Sequence, residues 1–164
     1  MTLAVDPIVF SSRFLHVLFA VLLLGGAMFK RFALLPAVKD LPEETRESLK
    51  ERVSAIWRKL VMMGSGILFL TGLYNYLCVT NPLHDGDKLY GMLMGIKILL
   101  ALVIFVMAAG LVGRSKGLEF LRKDAAKWLL VLILLGTAVT GIASFLKIRG
   151  VPDAPAAVEA APAE

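Results

Sequence analysis

Residues 90 to 112 read YGMLMGIKILLALVIFVMAAGLV, an apolar run interrupted by a single charge, Lys97. Crossing the hydrocarbon of a bilayer takes about 20 apolar residues at 1.5 Å each, so this run is long enough to span a membrane as one helix. Three further runs pass the same test, over residues 8–29, 60–80 and 128–146. Arg13 near the start of the first shortens its apolar core. No water is present in lipid to satisfy exposed backbone groups, so each run must be a helix rather than an open strand. The expected fold is all-α: an integral membrane four-helix bundle over residues 1–150, with the lipid bilayer as its first partner.

Composition agrees with that reading. The 164 residues are 58% hydrophobic with a mean hydropathy of +0.77, too apolar for a domain whose surface faces water. The net charge of +5 sits mainly in the connections. Lys30, Arg31, Lys39, Arg46, Lys50, Arg52, Arg58 and Lys59 lie between the first two runs, and Arg114, Lys116, Arg122, Lys123 and Lys127 lie between the last two. The middle connection carries only Lys88. The positive-inside rule then accounts for the basic excess, which leaves no case for nucleic-acid binding, and puts the first and third connections in the cytoplasm. Both termini are expected outside, in a multi-pass protein of the bacterial inner membrane. Cys78 is the only cysteine, so no disulfide forms within one chain.

The connections have their own signals. Lys30 and Arg31 read as a stop-transfer flank ending the first helix, which is retained rather than cleaved as a signal peptide. Asp40 with Glu43 resembles a capping box, and Leu49, Val53, Ile56 and Leu60 continue as one apolar stripe. Helix two should therefore begin in the cytoplasm and run unbroken into the membrane. Leu118, Phe120 and Leu121 among basic residues suggest a third connection lying in the interface. Residues 151–164 are rich in Ala, Pro and Glu and are expected to be a disordered tail.

Ionisable groups inside a bilayer are expensive, so His16 and Lys97 are candidate functional residues by default. Counted from Phe10 and Tyr90, they lie roughly 9 and 10 Å deep at 1.5 Å per residue, in one layer. Thr71, Tyr74, Asn75 and Cys78 form a polar stripe in the same half of helix two. Thr137, Thr140 and Ser144 read as inter-helix contacts in helix four. On helix one, Arg13 stands one turn outward of His16 and Ala20 one turn inward. A haem would use all three: iron on His16, propionates toward Arg13, and the ring over Ala20. Gly25, Gly26, Gly64, Gly66 and Gly72, with Gly91 and Gly95, are expected at close helix packing. Met92, Met94, Cys78, His84 and His16 include soft donors that would suit copper instead.

The segments LHVLFAVLLLGGAMF (15 to 29), WRKLVMMGSGILFLTGLY (57 to 74) and YGMLMGIKILLALV (90 to 103) resemble the CopD-like and HemJ-type four-helix membrane proteins. The shared pattern is a His in helix one followed by a Gly-rich half-turn, a Thr-Gly late in helix two, and a Lys in helix three. Resemblance to the HemJ-type branch implies protoporphyrinogen IX oxidation and haem b. It also implies that His16 and Lys97 are important, with Arg58 as a further cofactor-binding residue; the expected division puts the metal on His16 and makes Lys97 the catalytic residue, binding propionate or substrate charge together with Arg13. The chain departs from that branch in lacking a Trp in helix one before Gly25 and a His soon after that helix. The CopD-like branch implies copper handling. The functional expectation is a haem b redox protein exchanging electrons with a membrane quinone, or oxidising a porphyrin precursor, with a homo-oligomer as a further possible assembly. A copper-handling protein or a purely structural bundle is the alternative.

Overall fold

The structure, a computed structural model, describes residues 6–84, 86–113 and 116–150. The expected tail at 151–164, together with Arg114, lies outside the described residues. Four helices are long and apolar enough to cross a membrane: α1 (Pro7–Ala37), α2 (Glu43–Thr80), α3 (Lys88–Val112) and, after the short α4 (Glu119–Lys123), α5 (Ala125–Arg149). No strand occurs among the described residues. The architecture is a membrane-type helical bundle.

Each helix starts and stops for a visible reason. Asp6 caps α1 by accepting from the Ile8 and Val9 amides at 2.8 and 3.4 Å, and Pro7 takes the first helical position. Asp87 does the same for α3, accepting from the Tyr90 amide at 3.1 Å. The expected capping box at Asp40 and Glu43 does not form. Pro42 is the cap residue of α2, and Glu43 is its first residue, bonded to Arg46. Lys30 and Arg31 do not end α1 either. The helix passes through a π segment, Lys30–Leu34, and continues to Ala37. Pro36 supplies the cause, because it offers no N–H to the carbonyl four residues back, and a wider turn absorbs the mismatch. The π segment Asn75–Thr80 precedes Pro82 in the same way.

The helices pack as a ring in which α1 touches α2 and α5, and α3 touches α2 and α5. The main cluster of buried residues joins Ala27 of α1, Met107 of α3 and Leu129, Leu132 and Ile133 of α5. A second, at the opposite end, joins Tyr90, Met94 and Leu146. Outside these clusters large apolar side chains face outward, among them Val21, Phe29, Leu70, Leu99 and Leu134. Such a surface suits lipid and not water. At about 1.5 Å per residue α2 is about 57 Å long, well beyond the roughly 30 Å of hydrocarbon, so it projects from the bilayer.

Several glycines lie where helices meet. A Cβ on Gly26 would overlap the Trp57 ring, one on Gly64 would crowd Leu23 and Phe19 at 3.1 Å, and one on Gly136 would meet Leu24 at 2.9 Å. Gly25, Gly66, Gly91 and Gly95 have open space instead, so only part of the expected close-packing set serves that purpose.

The third connection folds back on the bundle. Leu121 of α4 is buried against Gly110, where a Cβ would come within 2.5 Å of it. Arg122 donates to the Gly110 carbonyl at 3.2 Å, and Arg58 donates through Nε to the Val112 carbonyl at 2.7 Å. Two guanidinium groups thus satisfy the last carbonyls of α3 and complement its dipole.

Candidate functional site between helices one and two

Thr71 sits on α2 opposite His16 of α1. Its hydroxyl donates back to the Ile67 carbonyl at 2.6 Å, as threonines in helices do. The hydroxyl proton being used, Oγ1 can only accept from the imidazole, whose Nδ1 stands 3.0 Å away. The Leu68 carbonyl also lies within hydrogen-bonding reach of the ring, and in the tautomer with the proton on Nδ1 the Nε2 lone pair is available. In metal-ligating histidines the second nitrogen is commonly fixed in this manner, which sets both tautomer and ring orientation.

The next residue completes the cradle. A Cβ on Gly72 would lie 2.9 Å from Cε1 of the His16 ring and 3.5 Å from its Nδ1. Only a glycine lets the imidazole lie this close to the α2 backbone. One turn outward on α1, Ser12 donates to the Thr71 carbonyl at 3.5 Å, a long contact that links the same two helices. His16 itself is half-buried, so part of its ring edge stays open.

Lys97 of α3 is half-buried and lies within electrostatic reach of His16. No carboxylate among the described residues pairs with it. Ala20 and Ala101, one turn inward of the two residues, are half-buried. Asn75, one turn beyond Thr71, has a buried Oδ1 with no donor among the described residues. Arg13 is exposed and lines an outer groove of α1 with Val9, Phe10, Phe14 and Val17.

Not every candidate joins this group. Arg58 caps α3 at the opposite end of the bundle, about 20 Å from Thr71 along α2 at 1.5 Å per residue. The soft donors are scattered: Met94 is buried, Met92 and Cys78 are exposed, and His84 donates to the Thr80 carbonyl at 2.9 Å while stacking on Tyr90. Among the described residues no three His, Cys, Asp or Glu side chains gather as a metal site. Thr137 and Thr140 return their hydroxyls to their own helix, at the Ile133 and Gly136 carbonyls, rather than bridging to a neighbour.

Sequence reasoning placed His16 and Thr71 on polar stripes of separate helices but did not pair them, and it treated Gly72 as generic packing. The adjacent Thr-Gly was the available signal. No protein-family model, curated protein or solved structure matches the chain.

Proposed function

We propose that this chain is an integral membrane redox protein that binds haem b through Nε2 of His16. The observation that carries the reading is the Thr71 hydroxyl beside Nδ1, an outer partner that, in the Nδ1-protonated tautomer, leaves Nε2 free to ligate. The residues present fit such a group: a neutral imidazole with one edge open, a cation at Lys97 with no carboxylate partner, a second cation at Arg13, and the orphaned Asn75 amide oxygen. Bound haem would supply one-electron chemistry. Thr71 orients the imidazole, Gly72 makes room for it, and Lys97 and Arg13 offer positive charge to carboxylates such as propionates.

Membrane quinone is the electron partner that fits a site inside the bilayer. Oxidation of a porphyrin precursor, the HemJ-type activity that the sequence resemblance implies, is the enzymatic form of the same reading, with Lys97 as the group facing substrate. The proposed orientation has both termini outside the inner membrane and the basic projection of α2 in the cytoplasm.

The test is optical. Protein purified from cells supplied with haem should show a Soret band that His16→Ala abolishes. Thr71→Val should weaken haem binding about 10- to 100-fold, the usual cost of losing an outer partner of a ligating histidine. Lys97→Ala should keep the haem with altered redox behaviour. Absence of a Soret band in wild-type protein, or a full haem complement in His16→Ala, overturns the reading in favour of a copper-handling or structural bundle.

A further inference from the structure

At the end of the bundle away from His16, the hairpin of α1 and α2 leaves an open groove of about 260 Å³. Its walls are apolar and come from both helices: Phe29 and Leu34 on one side, Val53, Ile56 and Trp57 on the other. Phe29 is 63% exposed and Ile56 72%, so these walls are not closed by the chain itself. Gly26 forms the floor, where the absence of a Cβ admits the Trp57 ring.

The groove has a charged rim. Lys30 lines it, and Lys50 of α2 stands close enough to act electrostatically on Lys30. Neither lysine forms an ion pair among the described residues. Glu43 lies within electrostatic reach of Lys50 but is itself bonded to Arg46. Lys30 occupies the junction where the apolar run of α1 ends, and Trp57 stands where that of α2 begins. Tryptophan and lysine at such a level mark the boundary between hydrocarbon and headgroups. A lysine lining an apolar slot, with a second lysine within electrostatic reach, asks for an anion with an acyl chain attached.

We propose that this groove is a binding site for one acidic phospholipid, its phosphate between Lys30 and Lys50 and an acyl chain along Phe29, Ile56 and Trp57. A free phosphate would satisfy the lysines but leave the apolar walls bare, so the lipid is the better match. A basic residue near an anionic headgroup contributes about 1 kcal/mol, or about fivefold in affinity. The site is separate from His16 and does not depend on haem.

The experiment uses the full chain in nanodiscs, in a Trp128→Phe background that leaves Trp57 as the only tryptophan. Phosphatidylglycerol with brominated acyl chains is titrated against brominated phosphatidylcholine, with quenching of Trp57 as the readout. Preferential quenching by phosphatidylglycerol, weakened about fivefold by Lys30→Gln and by Lys50→Gln and kept by Lys30→Arg, supports the site. Lys59→Gln, on the same helix outside the groove, should leave the preference intact. Equal quenching by the two lipids overturns the proposal, as does a preference that survives Lys30→Gln with Lys50→Gln. Full competition by inorganic phosphate at the same concentration would assign a free-anion site instead and also overturn it. Loss of quenching on self-association at high protein density would give the groove to a second copy, with the same consequence.

Discussion

Gly72 and His16 show how one missing methyl group shapes a site. A Cβ at Gly72 would lie 2.9 Å from Cε1 of the imidazole, too close for a rigid ring to ignore. Gly72→Ala should therefore push His16 off its bond to Thr71 and lower stability by about 1–3 kcal/mol, the usual range for overpacking. Gly95→Ala is the control, since a Cβ there meets nothing within 4 Å and should not lower stability. Thermal unfolding of the purified variants in detergent checks both, and equal melting temperatures would remove the cradle from the argument. None of this was legible in the glycine pattern alone. Gly26, Gly72 and Gly95 look alike in sequence, and what separates them is the partner helix opposite, a trait of packing that helical periodicity does not encode.

Asp87 works at the level of elements because it joins two helix ends. It caps α3 at the Tyr90 amide and also receives Arg149 of α5 through two bonds, at 2.6 and 3.1 Å. The Arg149 guanidinium holds the Asp87 carboxyl below the ordinary carboxylate range, with the Tyr90 amide adding to the effect. A lowered folded pKa contributes stability that is present above the unfolded value of about 3.9 and is lost as pH falls through the folded value. Wild-type protein should thus lose stability below about pH 4 more steeply than Asp87→Asn, which keeps the cap but not the charge. Melting curves between pH 3 and 7 check this, and parallel profiles would show that the pair does not couple the helices. The four spans were legible because hydropathy and length alone force them. Their ends were less so: Lys30 and Arg31 mark where lipid stops, but helix geometry carries on to Ala37, since charge ends a hydrophobic span without ending a hydrogen-bond ladder. Asp40 misled for a related reason, because Pro42 with its fixed φ begins α2 without a side-chain cap.

Across the whole molecule, the two ends of the bundle differ in charge and in how that charge is spent. One end gathers Lys30, Lys50, Lys59 and Lys127, with Lys123 paired to Glu119 and with Arg58 and Arg122 turned onto the α3 carbonyls. The other holds Arg13, Lys88, Lys147 and Arg149, but Arg149 is neutralised by Asp87, and Asp6 is exposed beside the start of α1. Ion pairs occur at both ends, Glu43–Arg46 and Glu119–Lys123 at one and Asp87–Arg149 at the other, so the basic excess seen in sequence persists, and under the positive-inside rule the proposed orientation has the hairpin between α1 and α2 on the cytoplasmic side. Cys78 is the only cysteine, so replacing it with Ser gives a clean background for single-cysteine mapping. Thr45 near the start of α2 and Leu83 in the middle connection are both exposed and lie at opposite ends. In intact cells a membrane-impermeant maleimide should label Leu83→Cys at once and label Thr45→Cys only after the membrane is permeabilised. The reverse order would invert the bundle, turning the His16 layer toward the cytoplasm and moving the lysine-rimmed groove to the outer leaflet.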